Sequence, residues 1–205
     1  MDTIAPFRIT VCGIEELTSF CDTQVSHVLS ILDPEWPVPE AFGDFGEHEK
    51  LELRFHDVIE DTPDQIIPRE EHVSALLDFG RDLMAEPREH GHLLVHCHAG
   101  ISRSSAAMTL ILAQGLPHVP AERIVAEVLH IREKAWPNLR IIELGDALLG
   151  RRGTLVEAAH DLYRRQVERR PFLWEVMSKA NRQRELATAA KPQDNASAAS
   201  AGGTV

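Results

Sequence analysis

His96-Cys97-His98-Ala99-Gly100-Ile101-Ser102-Arg103-Ser104 places a nucleophile, a glycine and an arginine at spacings suited to chemistry on an anion. The apolar run Leu93-Leu94-Val95 precedes Cys97 and a helix-forming run follows Ser104, so the expected layout is strand, tight loop, helix. Such a loop can turn successive backbone N–H groups toward one point, where the positive end of the helix adds its partial charge. Arg103 brings a planar fork of donors to the same point. A free thiol is mostly protonated near pH 7 and attacks poorly, and the inward amides, helix terminus and Arg103 all favour the thiolate of Cys97. Gly100 admits backbone conformations closed to residues with a Cβ. Ser104 can donate a hydrogen bond to sulfur when it becomes a leaving group. His96 is read as orienting the loop through a backbone hydrogen bond, not as moving a proton. The chemistry is attack by sulfur on a dianion held by His98, Ala99, Gly100, Ile101, Ser102 and Arg103.

His96-Cys97-x-x-Gly100-x-x-Arg103-Ser104 resembles the signature loop of the cysteine-dependent protein tyrosine phosphatases, and among them the compact, dual-specificity-like, bacterial-type members. The likeness extends from Phe7 to Leu149, with the loop as its decisive part. It implies a phosphomonoester hydrolase that removes phosphate from phosphotyrosine, and also from phosphoserine and phosphothreonine, through a phosphocysteine intermediate. No metal or organic cofactor is expected, because Arg103 and backbone dipoles supply the positive charge. Two alternatives stay open: a phosphate-binding module with weak or no turnover, and a phosphatase of non-protein phosphates. Lipid- and RNA-directed relatives tend to carry lysines at this loop, whereas here it holds His98, Ala99, Ile101 and Ser102, which weakens a polyanionic substrate.

Other chemistries account for less of the motif. A buried structural cysteine beside a core histidine explains His96 and Cys97 but not Gly100, Arg103 and Ser104 in register. His90, His92, His96, Cys97 and His98 crowd together as if for zinc, yet adjacent strand residues face opposite sides and the spacing lacks metal-site regularity. A rhodanese-like sulfurtransferase also uses a cysteine loop at a strand end, but fits the flanking residues less well.

The reaction also needs a group to protonate the departing oxygen. Leu51-Glu52-Leu53-Arg54-Phe55-His56-Asp57 alternates apolar and polar residues, as a half-buried strand does, and Asp57 closes it. The resemblance implies an aspartate on a loop just after such a strand as general acid. Asp57 matches best by position, with Asp61 as the alternative and Asp64 on the same loop. Asp61-Thr62-Pro63-Asp64 also reads as ordinary turn chemistry. The Trp-Pro-Asp loop of larger tyrosine phosphatases is absent, and Trp36-Pro37-Val38-Pro39 is a chance echo of it.

A chain of 205 residues suits one compact domain with appendages. Residues 1–150 are assigned to the catalytic domain, 151–187 to a C-terminal helical extension and 188–205 to a disordered tail. The formal net charge of −11 argues against nucleic-acid or anionic-membrane partners. No apolar run reaches the length of a membrane span, and the first residues lack the basic region of a signal peptide. Cys12, Cys21 and Cys97 make no disulfide framework, so a reducing cytoplasm is the expected location. Cys12 and Cys21 are read as ordinary buried thiols, with a protective disulfide to Cys97 as the lesser reading. The expected partners are phosphorylated proteins or small phosphomonoesters, and the oligomeric state is not legible.

These groups must be positioned by an α/β fold with a largely parallel central sheet flanked by helices. Strands are expected at Phe7–Cys12, Val25–Leu32 and Leu51–Asp57, besides the one before Cys97. Glu35–Glu49 reads as a surface loop. Helices are expected at Arg69–Met84, Ser102–Gln114, Ala121–Ala135, Leu139–Leu149, Thr154–Arg170 and Phe172–Leu186. Trp136-Pro137-Asn138 is read as a break between two of them.

Overall fold

In a computed structural model, which describes residues 4–5, 7–85 and 91–192, four strands form one parallel sheet. They are β1 (Arg8–Cys12), β2 (His27–Leu32), β3 (Glu49–Arg54) and β4 (His92–His96), in the spatial order β1-β4-β2-β3. Every residue of β2 and β4 is buried, as expected of central strands in a parallel sheet. The edge strand β3 is half-buried. Because all four strands run the same way, the loops that follow them gather along one edge, where ligands bind in open α/β sheets.

The helices are α1 (Glu70–Ala85), α2 (Arg103–Gly115), α3 (Ala121–Ile131), α4 (Leu139–Leu148), α5 (Thr154–Arg169) and α6 (Phe172–Lys179). Helix α2 is buried from Arg103 to Ala113 and packs against α1, α3 and α4. An apolar helix of this kind needs neighbours on all sides. The α/β architecture with a parallel sheet is as the sequence predicts.

Several boundaries differ from expectation for local reasons. The alternating pattern of β3 runs to Asp57, but the sheet ends at Arg54, so Asp57 lies three residues beyond the strand. The Phe55 N–H still reaches Leu32 O (3.0 Å), and the chain then turns away as His56 pairs with Ile66 (2.8 Å). Helix α3 stops four residues early, at Ile131, because Arg132 takes extended backbone angles. Helix α6 stops at Lys179 instead of Leu186, where Asn181 adopts a left-handed φ of 56° and the Arg182 N–H closes back on Met177 O. Two 3-10 helices were not foreseen, Ile14–Phe20 after β1 and Glu40–Asp44 inside the loop after β2.

The chain divides into two compact units, 1–159 and 160–205. The second contains a buried ion pair in which Arg182 meets both carboxylate oxygens of Glu185 at 2.9 Å. Leu155, Ala159, Leu162 and Tyr163, expected on one side of α5, are all buried. Arg164 pairs with Asp161 and Glu168 on the exposed side of the same helix. His90 and tail residues 193–205 lie outside the described residues, and no described helix is long and apolar enough to cross a membrane.

Candidate active site

Strand β4 ends at His96, α2 begins at Arg103, and the six residues 97–102 between them form the loop. The orientation of its peptide units follows from where the carbonyls go. His98 O accepts from the Ile14 N–H (3.0 Å), Ala99 O and Gly100 O accept from Arg132 (3.1 and 2.9 Å), and Ile101 O accepts from the Trp136 N–H (2.9 Å). Ser102 O accepts from the Ala106 N–H (3.0 Å) and the Asn138 N–H (3.3 Å). In a trans peptide the following N–H points opposite to the carbonyl. Five consecutive carbonyls tied outward therefore turn the N–H groups of residues 99–103 inward, at the N-terminus of α2.

Cys97 is buried, with its Sγ 3.2 Å from Ser104 Oγ. Gly100 has φ 65°, and a Cβ there would sit 2.3 Å from the Cys12 carbonyl carbon. The position thus excludes a side chain both by conformation and by space.

Arg103 is 3% exposed. Its Nη1 donates to Asp33 Oδ1 and to Phe55 O, both at 2.6 Å, while its Nε is buried with no hydrogen-bond partner. A guanidinium anchored at one corner and unsatisfied at another is poised for an incoming acceptor. Asp33, read from sequence only as a strand end, is its counter-ion.

Asp57 reaches the loop despite lying beyond β3. Its Oδ1 accepts from Ser102 Oγ (2.7 Å) and from Asn138 Nδ2 (2.8 Å), and Asn138 also donates to Val58 O and caps α4 through the Ile141 N–H. Asp61 is exposed on the turn beyond, and so is Asp64.

His96 lies against the Cys97 main chain and also reaches across the sheet. Its Nε2 shares a 2.8 Å hydrogen bond with Ser30 Oγ on β2. Burial, opposed in part by the Cys97 main chain, pushes the imidazole down to about 4, so it is neutral at pH 7. His98 accepts from the Asp33 N–H (3.3 Å) and lies against the Trp36 ring, with centroids 4.5 Å apart. Burial and then Arg103 lower its pKa. His92 instead bonds Thr10 and Thr23, so the imidazoles near Cys97 turn to separate protein partners. Burial pushes the Cys12 thiol up to about 12, and Cys21 is half-buried, not buried.

Trp36, on the loop after β2, therefore packs against the candidate loop through His98. Arg54 holds its loop by donating to the carbonyls of Asp33 and Trp36. A cleft of about 490 Å³ opens beside the loop between Trp36, His98, Ile14 and Lys134. Sequence reading missed Asp33, Trp36, Glu16, Arg132 and Asn138, since each lies on an element that only the fold brings to the loop.

No protein-family model and no curated protein matches this sequence. Solved structures do. The chain is similar to Cydia pomonella PTP-2 phosphatase (TM-score 0.53, 19% identity, 71% of this chain and 89% of that one). It is also similar to human DUSP28 (TM-score 0.52, 16% identity, 74% and 99%). A third is PTPMT1 in complex with PI(5)P (TM-score 0.52, 16% identity, 73% and 94%). At such identities the shared property is architecture, and by that measure the chain has the fold of the cysteine-dependent tyrosine and dual-specificity phosphatases.

Proposed function

We propose that this protein hydrolyses phosphate monoesters, foremost phosphotyrosine in proteins, through a phosphocysteine intermediate on Cys97. The observation that carries the reading is Cys97 Sγ, with Ser104 Oγ 3.2 Å away, in a loop whose carbonyls from His98 to Ser102 are bonded outward. That arrangement offers a thiolate and an oxyanion cradle at one point. In the first step the thiolate attacks phosphorus, the bond to the ester oxygen breaks, and Asp57 gives that oxygen a proton. Arg103 and the loop N–H groups hold the three equatorial oxygens. In the second step water attacks phosphorus, Asp57 takes its proton, and the sulfur–phosphorus bond breaks to restore the thiolate. Ser104 eases that departure by hydrogen bonding to sulfur.

Asp57 serves as acid and base because Ser102 and Asn138 fix its carboxyl beside the loop, whereas Asp61 stands in solvent. This placement favours turnover over a binding module. Protein substrates are favoured over polyanions because loop residues 98–102 contain no lysine and His98 lies among Asp33, Asp57 and Glu35. A thiolate nucleophile needs a reducing compartment, which fits the cytoplasm.

Cys97→Ser tests the reading. It should abolish turnover of aryl phosphates while leaving phosphate binding measurable, and turnover retained in this variant would reject Cys97 as nucleophile. Rates on phosphotyrosine peptides, phosphothreonine peptides and phosphoinositide vesicles rank the substrates, with phosphotyrosine expected first.

A further inference from the structure

Arg132 is the first residue after α3, with its own N–H bonded to Val128 O (2.8 Å) and its side chain only 13% exposed. Four of its five N–H donors are engaged. Nε donates to Gly100 O (2.9 Å) and Nη2 to Ala99 O (3.1 Å), while Nη1 and Nη2 meet Glu16 Oε1 and Oε2 at 2.9 and 2.5 Å. Glu16 Oε2 also accepts from the Gly13 N–H (2.6 Å), at the end of β1. Gly13 in turn lies so close to the loop that a Cβ on it would be 2.9 Å from His98 O. The guanidinium plane thus joins three segments: the turn after β1, the end of α3 and the loop carrying Cys97.

The consequence lies in the peptide units that it fixes. With Ala99 O and Gly100 O held on one side, the N–H groups of Gly100 and Ile101 are held on the other, facing the anion. A loop N–H is a useful oxyanion donor only if it does not have to reorient when charge arrives. The same strand of chain continues the task, as the N–H groups of Trp136 and Asn138 bind Ile101 O and Ser102 O. Nothing in this arrangement brings Arg132 itself to the substrate, since four of its donors are spent on protein acceptors.

We propose that Arg132, clamped by Glu16, is a positioning residue that sets the oxyanion affinity of the loop by locking the peptide units of Ala99 and Gly100. This rests on the reading of the loop as a phosphate cradle. Lysine cannot reproduce the function, because a single ammonium on a flexible stem cannot span two carbonyls and a carboxylate in one plane.

The test is calorimetric binding of inorganic phosphate to the full-length protein, alongside iodoacetamide labelling of Cys97 followed by mass spectrometry. Arg132→Lys and Arg132→Met should each weaken phosphate binding roughly tenfold or more, and slow Cys97 labelling at pH 7, while thermal unfolding stays cooperative. Glu16→Gln should shift both readouts in the same direction by less. If Arg132→Met does not fold, Arg132→Lys and Glu16→Gln decide the matter. Folded variants with phosphate binding and Cys97 labelling at the native level would overturn the proposal. Neither readout needs turnover, so the two readings separate. A protein inactive on every ester but weakened in phosphate binding by Arg132→Lys fails as a phosphatase only, and normal turnover with unchanged phosphate binding sinks the clamp alone.

Discussion

Arg103 and Arg182 are both buried and both face a carboxylate, yet they are built differently. Arg182 meets Glu185 with two matched bonds at 2.9 Å, three residues away on the same stretch of chain. Arg103 meets Asp33 through one nitrogen, shares that nitrogen with the Phe55 carbonyl, and leaves Nε buried and unpaired. Burying a donor without a partner costs about 1–3 kcal/mol, so the unpaired Nε of Arg103 suits the proposed role of holding an anion that arrives from outside, whereas the two matched bonds of Arg182 suit packing.

The sharpest way to break the comparison is to replace each arginine in turn. Arg103→Lys should cut kcat/KM by about a thousandfold or more, since the bidentate hold on the transition state is lost, with little change in unfolding temperature. Arg182→Met should do the reverse, costing about 3–5 kcal/mol by stranding buried Glu185, with kcat/KM unchanged in the folded protein. Kinetics beside thermal melts on both variants check this, and equal kinetic losses would erase the distinction.

Next in size, Asp57→Asn should slow aryl phosphate hydrolysis about a hundredfold, whereas exposed Asp61→Asn should leave it near native. Comparable losses would move the acid to Asp61. The acid side of the stability profile gives a smaller effect. Burial holds His96 at about 4 against an ordinary 6.5, so between those values the unfolded chain binds a proton that the folded chain does not. Stability is therefore full above pH 6.5 and falls as pH drops toward 4. Burial lowers His72 and His92 as well, in the same sense. Arg132 holds Glu16 at about 2, which adds stability that is present above pH 4.5 and lost as pH falls toward 2. Melting temperature measured from pH 7 to 4 should decline, and His96→Asn should flatten the slope. Smallest of all, Trp36→Ala should raise KM for aryl phosphates a few-fold with kcat nearly intact, because it opens the wall against which His98 rests.

What could be read from the sequence was local. A strand, a loop with one glycine and one arginine, and a helix lie within about a dozen residues, and the fold only had to confirm their order. The position of Asp57 beside the loop was legible too, although the alternation of Leu51–Asp57 hid the turn by which the chain leaves the sheet at Phe55 to meet Arg103. Asp33, Glu16, Arg132, Asn138 and Trp36 were not legible. Each sits beside Pro, Gly or charged residues that read equally well as surface. Their roles arise from the order β1-β4-β2-β3, which inserts the last strand between the first two and so surrounds its loop with theirs. Arg132 looked like one more residue of an amphipathic helix until the helix was seen to end before it.

The central claim is that Cys97 carries the phosphoryl group during turnover. Acid quench of Asp57→Ala protein reacting with an aryl phosphate, followed by mass spectrometry of the Cys97 peptide, tests it most directly. The account predicts a mass increase of one phosphoryl group on Cys97, accumulating because the second step lacks its base, and none in Cys97→Ser. Turnover without any phosphorylated Cys97, or the same mass increase on another residue in Cys97→Ser, would contradict it.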